Sequence, residues 1–544
     1  MNRFKDNPWA ILLVMCFGFF MILLDTTIVN TAIPSMIDGL KASLDEILWV
    51  LNAYILVYAV LLITAGRLGD IYGPRNLFAW GMALFTLASA LCGMAQSPTQ
   101  LILARVLQGI GAALLTPQSL SIITNIFPAD RRGAAFGVWG AVAGVAAITG
   151  PTLGGFLVTD WGWRWIFFVN LPVGIFTLIA SYAIVPDLRP ARHHRLDIPG
   201  VLLATLGLFG VTFGLIEGER YDWGTVWSFI TIPEIIGAGV LLCIAFLVLQ
   251  RIEKEEPLVP FAIFADRNYT LMNLVSGIMA FGMFGLFLPL MIYFQSVLGM
   301  TAFTAGVTVA PMSAVSMFVA PVAGRLADRI GGKYILMAGL TAFAAGMGYI
   351  DWIAATDSTR WSFLPGLLVS GFGMGCIFAP LATMAMRNVD PRMAGAASGV
   401  LNTTRQLGGV IGSAAVGALL QNRLAVALHD QAVSRSSGLP APFRDRFVSA
   451  FNNAAKGGLE VGRGQTGESP NLPPDLPHEV VAQIQRLAHV VFEHGFVDAM
   501  RPSLALPILL CLAGALSCLA IRRQRREGTL MVPEAPEAVP TSVE

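Results

Sequence analysis

Two ionisable residues stand in stretches of sequence that otherwise exclude charge. Asp25 lies in Leu24-Asp25-Thr26-Thr27-Ile28-Val29-Asn30, and Arg105 lies in a run that starts near Gln100. Both runs are long and apolar enough to cross a bilayer. A charge at such depth costs about 2.5–3.5 kcal/mol on insertion scales, which makes each a functional candidate. Asp25 is the only acid far from the end of an apolar run, whereas Glu217, Glu234 and Asp351 fall near outer ends, where water is expected to reach them. At 1.5 Å per residue, Asp25 and Arg105 lie about 12 Å and about 8 Å from the outer ends of their helices, at similar depth. They can meet directly or across a small wet cavity. Burial favours a neutral carboxyl and a nearby guanidinium favours a charged one. A conformation that changes their separation would load and release a proton. The plainer reading is a static pair that fixes helix register. Thr26, Thr27 and Asn30 beside Asp25 favour a wet, working site.

The second group is a repeat. Gly66-Arg67-Leu68-Gly69-Asp70-Ile71-Tyr72-Gly73-Pro74-Arg75 returns 258 residues later as Gly324-Arg325-Leu326-Ala327-Asp328-Arg329-Ile330-Gly331-Gly332-Lys333. Gly66/Gly324, Arg67/Arg325, Leu68/Leu326, Asp70/Asp328, Gly73/Gly331 and Arg75/Lys333 agree in type. Each copy is a charged turn between two apolar runs. The chain therefore has two related halves, the arrangement by which secondary transporters move about a central site.

The elements that hold these residues are membrane helices. Of 544 residues, 55% are hydrophobic and 13% charged, about half the charge of a soluble chain. Fourteen spans are expected, near 9–33, 47–66, 77–96, 100–123, 133–158, 165–186, 197–217, 229–250, 269–295, 302–323, 333–353, 361–386, 393–421 and 500–521. The start reads as a first span and not a cleaved leader. Lys and Arg gather on one set of loops, which include both hinges, Arg131-Arg132 and Arg522-Arg523-Gln524-Arg525-Arg526. By the positive-inside rule these loops and both termini are cytoplasmic. The expected fold is all-α and polytopic. Residues 1–186 and 269–521 form six-helix halves, 187–268 carries two inserted helices, and 522–544 is a tail. Residues 422–499 read as an extracytoplasmic loop with two short amphipathic stripes, Phe443/Phe447/Phe451 and Val480/Ile484/Leu487/Val491. The six cysteines fall in spans as packing residues. His193-His194 lacks the neighbours of a metal site, and no phosphate-binding glycine loop is present, so neither metal nor ATP is expected.

Arg405, in Asn402-Thr403-Thr404-Arg405-Gln406, lies near the midplane of its span and is expected to line a cavity. Gly150-Pro151-Thr152-Leu153-Gly154-Gly155 permits a kink or close helix approach.

These segments together resemble the fourteen-span drug:proton antiporters of the major facilitator superfamily, of QacA/EmrB type. The resemblance rests on both hinges, on Leu24 to Pro34, on Arg105-Val106-Leu107-Gln108-Gly109-Ile110-Gly111, on Gly150 to Gly155 and on Trp163 to Pro172. It implies gating by Gly66, Arg67, Asp70, Gly73 and Arg75 and by Gly324, Asp328, Gly331 and Lys333. It also implies proton coupling at Asp25 and Arg105, and an antiporter motif at Gly150, Pro151, Gly154 and Gly155. Ala146 replaces an upstream glycine of that motif. Pro74 and Asn76 replace basic residues of the first hinge, which leaves that latch fewer charges.

The expected function is proton-driven export of amphipathic drugs or secondary metabolites, from the inner or plasma membrane, with no cofactor beyond the proton gradient. Asn30, Tyr54, Tyr58, Gln108, Phe281, Phe284, Phe287, Gln295, Asn402 and Arg405 are the candidate cavity wall. One deep carboxylate suggests neutral or monovalent substrates over dications. Two alternatives stand beside this: a carrier of an endogenous metabolite or lipid, and a scaffold that docks partners through 422–499. A periplasmic adaptor would be such a partner in a host with an outer membrane. No enzyme constellation is present, and nothing suggests nucleic acid.

Overall fold

The computed structural model describes residues 7–42, 44–128, 131–187, 196–218, 221, 223–253, 257–436, 444, 447–449 and 478–522. Among them are fourteen helices long and apolar enough to cross a membrane. The first half holds α1 (Pro8–Thr31), a short α2 (Ile33–Leu40), α3 (Leu44–Tyr72), α4 (Pro74–Met94), α5 (Pro98–Ile126) and α6 (Arg132–Asp160). Its sixth span is broken into α7 (Trp165–Phe168) and α8 (Asn170–Ile184). The inserted pair is α9 (Ile198–Glu217) and α10 (Ile232–Ile252). The second half holds α11 (Arg267–Ile292), α12 (Ala302–Ile330), α13 (Lys333–Ile353), α14 (Leu364–Met386), α15 (Ala394–Arg435) and α16 (His478–Ser517).

Local sequence sets the ends. Asn7 accepts a hydrogen bond from the Trp9 amide (3.0 Å) and Pro8 opens α1, since proline lacks the donor that a first turn leaves unused. Both hinges turn on a glycine with positive φ, 88° at Gly73 and 89° at Gly331, a region that side chains with a Cβ rarely occupy.

Glycines set how closely the helices approach. α6 is the central strut. On one face, a Cβ at Gly137 would lie 2.7 Å from Pro321 Cα, and one at Gly144 would lie 2.6 Å from the Ser313 carbonyl, both on α12. On another face, Gly150 and Gly154 receive Thr27 and Ile28 of α1. α15 repeats the plan in the second half. Gly395 and Gly399 meet α3, while Gly408 and Gly412 meet α11 at Gly277 and Phe281. Through these glycines α6 and α15 each approach one helix of their own half and one of the other.

Three expectations change. First, 422–499 is not a loop throughout. α15 and α16 run on as 42- and 40-residue helices, about 60 Å each, twice the hydrocarbon thickness. Leu424, Leu428 and Ala432 bury against Ile484, Val491 and Phe492. The polar residues lie on the outer face of this pair, and so they lower the mean hydropathy without ending the helix. Phe447 is buried, whereas Phe443, Phe451, His193 and His194 lie outside the described residues. Second, Glu217 is 2% exposed and accepts from the Asn52 amide of α3 at 3.0 Å, because α9 docks on α3. Glu234 is exposed and caps its own helix at Thr231. Third, a two-stranded hairpin, β1 (Thr225–Trp227) and β2 (Ile230–Thr231), joins the inserted helices and departs from an all-helical chain.

These approach distances imply a mutational contrast. Gly412→Ala puts a methyl 2.6 Å from the Phe281 carbonyl, whereas Gly348→Ala meets nothing within 4 Å. Overpacking of this kind costs about 1–3 kcal/mol. Gly412→Ala is expected to lower the detergent thermal midpoint while Gly348→Ala leaves it unchanged. Equal midpoints would refute the packing assignment.

Candidate functional site

Asp25 and Arg105 meet directly. Arg105 Nη1 donates to Asp25 Oδ2, with Arg105 1% and Asp25 0% exposed. Most polar atoms around them are drawn into one network, although the buried Tyr54 hydroxyl and Asn170 Oδ1 have no hydrogen-bond partner. Arg105 Nη1 also donates to Gln108 Oε1 (2.7 Å), and its Nε donates to the Val50 carbonyl (3.1 Å). The second carboxylate oxygen accepts from Gln108 Nε2 (2.8 Å) and Asn170 Nδ2 (3.3 Å). Asn170 also donates to Ser89 Oγ (3.0 Å), which in turn donates to the Phe167 carbonyl (2.9 Å). The guanidinium carbon sits 4.2 Å from the centroid of the Tyr54 ring. Five of the six spans of the first half thus converge on one carboxylate. The break at Val169 makes part of this possible, since it places Asn170 at the start of α8 and Phe167 at the end of α7.

The polar neighbours expected to wet the pair do not touch it. Thr26 and Thr27 donate to the Leu23 carbonyl of their own helix, and the exposed Asn30 amide donates to the Thr26 carbonyl. Helical spacing turns those residues away from α5. Gln108, expected on the cavity wall, belongs to the network instead. Ser89 and Asn170 were not anticipated. Their signal was a lone amide in Phe167-Phe168-Val169-Asn170-Leu171-Pro172 and one of two hydroxyls in α4.

The hinges bridge the halves. Asp70 accepts from the amides of Gly395 and Ala396, both at 2.9 Å, in the first turn of α15. Asp328 accepts from Gly133 (2.9 Å) and Ala134 (3.0 Å) in the first turn of α6. Neither helix has a side-chain cap of its own; Arg131 and Met393 occupy the cap positions. Each aspartate therefore satisfies the free amides and the positive end of a helix from the opposite half. Glycine is required there, because a Cβ at Gly133 or Gly395 would overlap the Gly324 or Gly66 carbonyl. The acceptors themselves form a repeat that escaped the sequence reading, Gly133-Ala134-Ala135-Phe136-Gly137 against Gly395-Ala396-Ala397-Ser398-Gly399, offset by 262 residues. Arg75 pairs with Asp187 at 3.1 Å, and Lys333 donates to the Leu519 carbonyl at 2.7 Å, so each closes its own half. Arg67 is buried at 6% exposure. With Pro74 in the first hinge, both copies still make the same two amide bonds. Arg132 adds a further stitch, from α6 to the Met386 carbonyl at 3.1 Å.

The fifth-span motif packs closely on α1. α6 runs unbroken through it, Gly150 and Gly154 seat α1, and Gly155 has only Phe303 nearby at 3.9 Å. The Pro151 side chain lies outside the described residues. Among the remaining wall candidates, Phe281 and Phe284 pack on Gly412 and Gly409 of α15. Phe287 and Gln295 are half-buried. Tyr54, Tyr58, Asn402 and Arg405 do come together. The two tyrosine rings stack 6.1 Å apart, Arg405 donates to Asn402 Oδ1 at 2.7 Å, and Tyr58 lies within hydrogen-bonding reach of Arg405.

The Major Facilitator Superfamily profile matches residues 15–413, and the chain belongs to that family. It is 42% identical over 463 residues to an uncharacterised MFS-type transporter of Mycobacterium tuberculosis, covering 83% of this chain and 79% of that one. It is 31% identical over 494 residues to the tetracenomycin C resistance and export protein of Streptomyces glaucescens, covering 90% and 88%. The fold is similar to that of the human organic anion transporter MFSD10, with TM-score 0.57 and 13% identity over 93% of this chain and 99% of that one.

The paired latches set an expectation. Charge-assisted hydrogen bonds contribute about 1.5–3 kcal/mol each. Spin labels at Tyr72 and Ile330, both exposed beside the hinges, should give one short distance. Asp70→Asn with Asp328→Asn should shift the distribution to longer distances, and either alone should shift it less. An unchanged distribution in the double variant would show that the aspartates do not hold this end closed.

Proposed function

We propose that this protein exports amphipathic small molecules across the cell membrane in exchange for protons, by alternating access. The observation that carries the reading is the sealed Asp25–Arg105 pair. It sits in one half of a two-fold repeated bundle, and the 262-residue offset that relates Gly133 to Gly395 places the buried, apolar Leu367 where Arg105 stands. Both halves share their gates, and among the described residues the buried carboxylate–guanidinium pair lies in the first half alone. Lys and Arg on the hinge-side loops support a cytoplasmic location for that end and for both termini. The names of the resistance and export proteins among the relatives support outward transport of small molecules.

The chemistry follows from what a proton changes. With Asp25 charged, α1 and α5 are drawn together across the pair. Protonation removes that attraction and leaves Arg105 on Val50, Gln108 and Tyr54. The helices can then rearrange, and the cost of the hinge bonds is met as the far side closes. No group needs activation, and no cofactor enters the cycle. One proton supplies about 2.3 kcal/mol per 100 mV, more than the 1.4 kcal/mol of a tenfold gradient.

In proteoliposomes with an imposed proton gradient, the wild-type protein should hold a gradient of a transported amphipath of tenfold or more. Asp25→Asn should bring it close to unity while ligand binding persists. A tenfold gradient that survives the substitution would remove Asp25 from the coupling.

A further inference from the structure

Arg405 differs from Arg105 in the company it keeps. It lies ten residues into α15 beyond Gly395, about 15 Å from the hinge latch and so near the middle of a core about 30 Å thick. Its partners are neutral: Asn402 Oδ1 at 2.7 Å and the Tyr58 hydroxyl. Among the described residues, no carboxylate pairs with it. It also keeps an accessible face, whereas Arg105 is closed off. A guanidinium has five donors, and two neutral acceptors leave several unused.

Charge along the site makes the same point. Asp25, Arg105, Tyr54, Tyr58 and Arg405 form one column that crosses from α1 through α5 and α3 to α15. Arg105 lies 4.2 Å above the Tyr54 ring, Tyr54 stacks on Tyr58, and Tyr58 reaches Arg405. This column holds two guanidiniums and one carboxylate. The carboxylate is bound by Arg105, Gln108 and Asn170, on the far side of both rings from Arg405. Among the described residues, one half-buried positive charge at the interface of the halves is left without a counterion. Insertion scales make such a charge costly at the midplane, and a planar guanidinium matches a planar oxyanion through two parallel hydrogen bonds.

We infer that Arg405 is the anion-recognising side chain of the substrate site, and that the preferred substrates are amphipathic molecules bearing a carboxylate or a comparable acidic oxygen. This rests on the export reading and reverses one expectation. Counting Asp25 alone suggested neutral or monovalent substrates over dications, and counting Arg405 makes the favoured charge negative. Tyr58 and Asn402 flank the guanidinium and are themselves buried, so they orient it toward its accessible side.

The test is equilibrium binding to the full-length protein in nanodiscs, with no proton gradient and with empty discs subtracted. The probes share one ring system: naphthoate, naphthylmethanol and naphthylmethyl-trimethylammonium. Wild type should bind naphthoate at least tenfold more tightly than the cation. Arg405→Gln should lose that preference through weaker naphthoate binding, with the alcohol little changed, and Arg405→Lys should keep most of it. Absence of an anion preference in wild type would overturn the proposal. So would an equal loss for all three probes in Arg405→Gln, which would mark Arg405 as an interface strut. If Arg405→Gln does not fold, the wild-type and Arg405→Lys preferences decide. Gradient-driven transport is scored separately. Its absence alongside a retained anion preference would overturn the export reading and leave the charge preference standing.

Discussion

A charge in hydrocarbon must find its compensation within the protein, and much of this architecture follows from meeting that demand at Asp25. The carboxylate accepts from Arg105, Gln108 and Asn170. Removing one partner from such a buried pair typically costs about 3–5 kcal/mol, so α1 and α5 cannot part freely while Asp25 is charged. The break at Val169, the hydroxyl at Ser89 and the aromatic floor at Tyr54 fit this single requirement. A static strut would meet the demand as well. The difference lies in chemistry: a carboxylate is the one member of the network whose charge a proton can remove.

The rest of the bundle is symmetric in a way the pair is not. Asp70 and Asp328 each cap a helix that has no cap of its own, and each caps it in the opposite half. The same hydrogen bonds stabilise the helix ends and hold the halves together, so opening this end exposes free amides at two helices at once. Glycines at Gly133 and Gly395 let the backbones approach closely enough for those bonds. The gates are thus a property of the repeat, while the titratable group belongs to the first half and Arg405 to the second.

Much of this was legible in the sequence. A glycine with positive φ, an aspartate three residues before it and a basic residue two after it leave a mark that survives in both copies. Asp25 and Arg105 stood out because charge is rare in spans. Other features were hidden for physical reasons. The amides of Gly133, Ala134, Gly395 and Ala396 carry no side-chain signal, and their Gly-Ala-Ala-x-Gly repeat reads as ordinary packing. The extensions of α15 and α16 were masked by the polar residues on their outward faces. Asn170 could have been singled out as an amide within an apolar span. Of the aromatic candidates of α11, Phe281 and Phe284 fill the groove over Gly412 and Gly409, and rings that do so have the same spacing as rings that line a cavity.

The central claim is that movement of substrate and movement of a proton are linked through Asp25. Linkage is reciprocal, so a substrate gradient alone should move protons. Proteoliposomes with a substrate gradient, equal pH on both sides and an internal pH dye measure this directly. The account predicts proton flux opposite in direction to substrate flux in the wild type, and substrate flux without proton flux in Asp25→Asn. Proton flux that persists in Asp25→Asn at the wild-type ratio to substrate would contradict it.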